Sequence, residues 1–186
     1  MILAEEWLKH NEFICDTFIE TGTNIGASLE AAAKSGYKNL ISIEYDKENF
    51  EKAKERLKPF KNVKIHHGNS PDFLEKVIKP TKKTCFWLDA HYQGGSEKEK
   101  DTKYGECPLL KELDVILSKK WKKLPIILID DYHIFHVETR NKVYESGSNF
   151  DFSQWPTLDD ILNKVGKEYD FFMGSNVLIC KPNVKI

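Results

Sequence analysis

The chain has 186 residues, 40% hydrophobic and 31% charged, which suits one packed domain and excludes wholesale disorder. Lys and Arg total 28 against 29 Asp and Glu, and a net charge of −1 removes the electrostatic case for a nucleic-acid or polyanion binder. No apolar run approaches the ~20 residues that span a bilayer, and MILAEEWLKHNEF lacks the pattern of a signal peptide, so a cytoplasmic protein with no membrane partner is expected. Cys15, Cys85, Cys107 and Cys180 are scattered without a C-x-x-C pair, as reduced, buried thiols are.

In chain order, short apolar runs alternate with helical periods. An N-terminal helix is expected within 1–13, with Ile2, Leu3, Trp7 and Leu8 on one face. DTFIE (16–20) is a first strand and the alanine-rich 26–36 a helix closing on Gly36. LISIE (40–44) is a second strand, followed by a helix through Phe50, Ala53 and Leu57 that stops at Pro59. VKIHH (63–67) is a third. Ser70 is expected to cap, and Pro71 to open, the helix bearing Phe73, Leu74, Val77 and Ile78. TCFWLDAHY (84–92) and PIILIDDYH (125–133) are apolar on both faces until their acids, as fits buried central strands. Pro108 starts one helix between them; Thr157 caps a last one, closed by Gly166. YDFFM-GS-NVLICK (169–181) reads as an antiparallel hairpin. Five βα units in series predict an α/β, doubly wound, mainly parallel sheet within a single domain, 1–186. The stretches 93–106 and 134–156 follow strands at their carboxyl ends, where such sheets bind ligands, and are read as substrate-side loops.

The first strand runs into Glu20-Thr21-Gly22-Thr23-Asn24-Ile25-Gly26 and a helix, a G-x-x-x-G turn that is either a ligand loop or a plain strand-to-helix connection. Glu44 ends strand two, 22 residues after Gly22, where a carboxylate can accept both hydroxyl protons of an adenosine ribose and would repel a 2′-phosphate. Asn69, after strand three, can set an amide beside the adenine edge, with Ser70 read equally as a helix cap. Asp89 ends strand four and Asp130-Asp131 end strand five. On neighbouring strands these carboxylates lie about 5 Å apart, which favours an intervening cation; oxygen ligands point to Mg²⁺ first, or Ca²⁺ or Mn²⁺. The competing reading has one acid capping a helix, one touching the cofactor and one solvated.

FIETGTNIG, ISIEYD and HHGNS, with the terminal hairpin, resemble class I S-adenosylmethionine-dependent methyltransferases over nearly the whole chain. The resemblance implies a Rossmann-like, seven-stranded sheet of order 3-2-1-4-5-7-6. It implies that Glu20 and the loop of Thr21, Gly22, Thr23, Asn24 and Gly26 hold the methionine end of S-adenosyl-L-methionine, Glu44 the ribose and Asn69 the adenine. Ser28, Tyr45, Ser70 and Asp89 complete the cofactor-binding set. WLDAHY followed by ILIDDY is similar to the metal-dependent O-methyltransferases, the macrocin type above all, which implies Asp89, Asp130 and Asp131 as ligands of a divalent ion. That type carries a second Asp, the proposed base, where this chain has His91; an imidazole can take a proton at neutral pH or serve as a further ligand.

The expected activity is therefore O-methylation of a small molecule, a sugar or glycosylated metabolite by the macrocin-type likeness, with His91 and Asp89 as catalytic residues. The alternatives are a metal-independent methyltransferase, a degenerate cofactor-binding module, and a nicotinamide oxidoreductase, which the hairpin disfavours. His133 and His136 read as a partly exposed loop pair. Tyr92, Tyr132, Phe150, Phe152 and Trp155 either wall a pocket or anchor their loops. Arg140 reads as a surface ion-pair partner or, less favoured, a grip on a substrate anion. Trp7 can pack across a homodimer.

Overall fold

A computed structural model describes residues 13–92, 102–145 and 150–183. The expected N-terminal helix and residues 93–101 of the first loop lie outside them.

Seven strands form one sheet in the order β3-β2-β1-β4-β5-β7-β6, as the resemblance implied. They are β1 (Thr17–Thr21), β2 (Asn39–Glu44), β3 (Val63–His67), β4 (Thr84–Leu88), β5 (Ile126–Ile129), β6 (Tyr169–Gly174) and β7 (Val177–Pro182). β1 to β5 run parallel, and β7 and β6 pair antiparallel. The helices are α1 (Ala27–Lys34), α2 (Lys47–Leu57), α3 (Ser70–Val77), α4 (Leu109–Ser118), α5 (Val137–Glu145) and α6 (Leu158–Val165).

Two cores follow from the period of two along each strand. Ile19, Ile43, Phe86, Leu88, Ile127 and Ile129 pack against α3, α4 and α6. Their neighbours Phe18, Leu40, Cys85, Trp87, Ile126 and Leu128 pack against α1 and α2. With both faces covered, β4 and β5 are buried throughout, which is why they read as unbroken apolar runs. The four cysteines are free and buried. At α6, Thr157 and Asp160 close a reciprocal capping box and Gly166 ends the helix, as its sequence predicts. At α3 the cap differs. Asn69 is the N-cap residue with no side-chain bond to the helix, and Ser70 is drawn inward to Glu112.

The stretch 134–156 is not a plain loop. It takes in the end of a 3₁₀ turn (Tyr132–Phe135), then α5 and a second 3₁₀ turn (Phe152–Gln154). VETRNKVYE carries too few apolar residues to show a helical face, and Val137 is in fact exposed. Arg140 fits neither of its sequence readings. It is buried and donates to the carbonyls of Ile134 (2.9 Å), Trp155 (3.3 Å) and Pro156, tying the ends of this segment together.

The strand register sets the site. Thr21 pairs with Leu88 and Leu88 with Ile129, so Gly22, Asp89 and Asp130 emerge in a row at the carboxyl end of the sheet.

Candidate active site

The loop after β1 is clamped from both sides. Gly22 N–H donates to Ile43 O at 3.0 Å, and Asp89 N–H to Thr21 O at 3.1 Å. Gly22 has φ +79°, and a Cβ there would stand 2.1 Å from the Asp89 carbonyl oxygen, so only glycine fits. Asn24 also lies in the left-handed region, at φ 49°. Asparagine is among the residues that visit that region at small cost, so the glycine of many such loops is dispensable here. Asn24 N–H donates to Glu44 Oε2 at 2.6 Å and Asp46 N–H to Oε1 at 2.7 Å.

A cavity of about 1210 Å³ opens here, and Gly22, Asn24, Glu44, Tyr45, Asn69, Ser70, Asp89 and His91 all line it. Thr21, Thr23, Gly26 and Ser28 stand behind this lining. Thr23 Oγ1 bonds Ser42 Oγ at 2.5 Å, and Ser28 donates to Glu20. Glu20 is fully buried and accepts from Ser42 at 2.5 Å; burial pushes its pKa up to about 7 against the two hydroxyl bonds. His67, at the end of β3, reaches the cavity wall, with Nε2 3.0 Å from Tyr45 O.

The second constellation forms around His91. Its Nδ1 lies 3.8 Å from Asp89 Oδ1 and its Nε2 3.4 Å from Asp131 Oδ2. One ligand atom from each of Asp89, His91 and Asp131 lies within 4.8 Å of the others. The expected trio contained Asp130 instead of His91. Asp130 Oδ1 accepts the Asp131 N–H at 2.9 Å, because Asp131 takes a left-handed φ of 51° that swings its own side chain toward His91. Burial and the Asp131 charge raise the pKa of Asp130. Burial acts upward on Asp131 too, but the hydrogen bond and charge of His91, the His133 charge and the Asn176 amide outweigh it and hold its carboxyl low. Asn176, in the β6–β7 turn, donates to Asp131 and bonds His133. His133 and His136 are exposed.

Aromatic rings box His91 in. Phe135 and Trp155 meet it edge-on at 6.4 and 5.4 Å, and Phe150 and Phe152 pack on Trp155. Tyr92, Phe150, Phe152 and Trp155 therefore anchor the segment around the imidazole. Two buried carboxyls escaped sequence reading. Glu106 accepts Asp151 N–H (2.9 Å) and Trp155 Nε1 (3.2 Å), joining the segment before α4 to that aromatic wall. Glu112, on the inward face of α4, accepts from Ser70. Neither leaves a local signal, since a glutamate in an amphipathic stretch reads as solvated.

The whole chain superposes on solved structures of known type. The O-methyltransferase TomG from Streptomyces achromogenes, involved in tomaymycin synthesis and solved with SAM, matches 98% of this chain and 78% of its own at TM-score 0.61 and 14% identity. This is the class I methyltransferase fold. An O-methyltransferase from Bacillus cereus, solved with SAH, shares the fold over 96% of this chain and 77% of its own, at TM-score 0.60 and 13% identity. In sequence the chain is similar to ribosomal RNA small subunit methyltransferase A of Caldanaerobacter subterraneus subsp. tengcongensis, 33% identical over 107 residues. That match takes in 56% of this chain and 40% of the relative's length. No protein-family model matches the chain. Among the described residues, no helix is long and apolar enough to cross a membrane.

Proposed function

We propose that this chain is an S-adenosylmethionine-dependent methyltransferase acting on an oxygen of a small molecule. The observation that carries the reading is one continuous cavity. It joins the Gly22–Asn24 loop and the Glu44 carboxylate to Asp89 and His91, so a donor site and a proton-handling site share one wall. Glu44, oriented by two backbone N–H groups, suits the ribose hydroxyls. Asn69 suits the adenine edge, and the unpaired N–H groups at the start of α1 suit the methionine carboxylate. The O-methyltransferase structures that share the fold support oxygen as acceptor.

When bound, S-adenosylmethionine would supply an electrophilic methyl group to the acceptor oxygen, its sulfur leaving with the bonding pair as a neutral thioether. His91, held between two carboxylates, is placed to take the hydroxyl proton, and the acids on either side stabilise the resulting imidazolium. Asp89, His91 and Asp131 also fit a divalent ion. Two carboxylates and an imidazole suit Mn²⁺ or Zn²⁺ as well as Mg²⁺, and such an ion would lower the pKa of a coordinated hydroxyl. Whichever cation sits there, proton or metal, Asp131 is preset by Asn176.

The similarity to a ribosomal RNA methyltransferase favours a second reading, transfer to a nucleic acid. Against it, Glu44, Asp46, Glu48, Glu51 and Asp89 outnumber Lys47 and Lys52 around the cavity, a poor seat for phosphates.

Calorimetric titration with S-adenosylhomocysteine, with and without Mn²⁺ or Mg²⁺, tests both parts on the wild type and on Asp89→Ala and Asp131→Ala. The expected result is cofactor binding in the wild type and in Asp131→Ala, with metal binding lost in both variants. A wild type that ignores the cofactor rejects the methyltransferase reading, and metal binding unchanged in the variants rejects the ion site alone.

A further inference from the structure

Glu112 occupies a position that the helical period assigns to an apolar side chain, beside Leu109, Leu113 and Ile116 on the buried face of α4. It is 1% exposed, with the Ser70 and Thr21 hydroxyls and the His91 imidazole as the polar groups acting on it. Burial pushes its pKa up to about 7. A carboxyl there is less favourable than a leucine unless its bonds serve some other end. One hydrogen bond is made there, with a second hydroxyl close by. Ser70 Oγ donates to Oε1. The Thr21 hydroxyl, buried without a hydrogen-bond partner, lies near the same carboxyl.

The two hydroxyls belong to different elements, and only Ser70 lines the cavity. Thr21 ends β1 and enters the glycine loop, whereas Ser70 opens α3 directly after Asn69. The Asn69 side chain makes no bond to the helix it precedes. The start of α3 is therefore held by other means, with Gly68 N–H donating to Glu44 O (2.8 Å) on one side and Ser70 bonding Glu112 on the other. The first hold comes from the strand that offers the ribose carboxylate. The second comes from a helix that is distant in sequence.

We propose that Glu112 is the positioning residue for the nucleobase end of the cavity. Through Ser70 it fixes the Asn69–Pro71 edge against the glycine loop, so that recognition of the base depends on a side chain that does not itself line the cavity. The inference rests on the cofactor reading above. A purely structural glutamate would affect every ligand alike, whereas a positioning one acts on the base edge.

The experiment compares S-adenosylhomocysteine with S-inosylhomocysteine, in which a carbonyl oxygen replaces the 6-amino group. Both are titrated calorimetrically into wild type, Glu112→Gln, Glu112→Leu and Ser70→Ala, with thermal melting alongside. The wild type is expected to prefer the adenine ligand. Glu112→Gln, whose amide carbonyl still accepts from Ser70, keeps that preference within about twofold. Glu112→Leu and Ser70→Ala weaken S-adenosylhomocysteine about tenfold and bring the ratio of the two ligands toward one. An unchanged ratio in Glu112→Leu, with or without a uniform loss, overturns the inference and leaves the cofactor reading standing. Should Glu112→Leu not fold, an unchanged ratio in Ser70→Ala overturns it equally. A wild type that does not distinguish the ligands also overturns it, and one that binds neither removes the cofactor reading as well.

Discussion

Gly22 shows how one backbone atom decides a site. The loop after β1 passes so close to Asp89 that an added methyl group would collide with its carbonyl, 2.1 Å away, at a positive φ that already disfavours alanine. Gly22→Ala is expected to melt at a lower temperature and to lose at least tenfold in S-adenosylhomocysteine affinity, read by calorimetry. An unaltered affinity would show that the loop does not touch the ligand. Glu20 governs a pH dependence instead. Its pKa rises from an ordinary 4.5 to about 7 because it is buried with hydroxyls and no cation. Between those values the folded state keeps a proton that the unfolded state has released. The stabilising contribution is thus complete below about pH 4.5 and fades as pH rises through about 7. At ~1.4 kcal/mol per pH unit the ceiling is roughly 3 kcal/mol. Glu20→Gln is expected to match the wild type near pH 5 and to exceed it by about 1–3 kcal/mol at pH 8 in urea unfolding. Parallel stability curves would contradict this. Glu112, shifted in the same direction, should leave part of the slope in place.

Among the elements, the run from the end of β5 to α6 matters most to the site and was least visible beforehand. It supplies Asp131, the aromatic box around His91 and, through Asp151 and Trp155, the partners of Glu106. Its weakly amphipathic helix α5 gains little from its own burial. What holds it is Arg140, whose guanidinium reaches carbonyls on both flanks and stacks on Phe152 with 5.6 Å from Cζ to the ring centroid. Arg140→Met keeps the apolar stem and removes the donors. It is expected to cost about 1.5–3 kcal/mol, concentrated in this segment. Amide exchange should quicken across the described part of 132–156 while β1, β4 and β5 stay protected. Uniform acceleration over the sheet would mean that the segment and the core unfold as one unit. Since the box confines His91, the same variant should also lose methyl transfer to a greater degree than cofactor binding.

Across the whole molecule, the parallel sheet gathers at one end the loops that follow β1, β2, β3 and β4, and a ligand there ties four consecutive units together. S-adenosylhomocysteine at 100 times its Kd should add about 2.7 kcal/mol and raise Tm by roughly 5–10 °C in a single transition. A split transition would show that part of the sheet unfolds without releasing the ligand. Charge is distributed just as unevenly. Acids crowd the cavity, while the lysine-rich turns 79–83 and 119–123, joined by Lys122 N–H to Pro80 O (3.0 Å), lie at the far end. The net charge of −1 is the sum over both ends, so it does not by itself keep a polyanion from the lysine-rich turns.

Strand positions, the helices that alternate with them apart from α5, the antiparallel hairpin and the carboxylate at the end of β2 were legible because each is written in a local period or a fixed spacing. The shift from apolar to acidic at the end of β4 and β5 marked the end where the cavity opens for the same reason. Other features depend on approach in space. His91 takes the place of Asp130 in the cluster only because Asp131 turns through a left-handed conformation and Asn176 arrives from the hairpin to hold it. Glu106, Glu112 and Arg140 look like surface residues until the elements close over them, for burial is a property of neighbours that the chain brings from far along its length. The sequence alone thus determined the strands and most of the helices, and at which end of the sheet the acidic cavity opens. Tertiary structure decided which side chains meet there, because a charged group's energy depends on what surrounds it and not on what precedes or follows it.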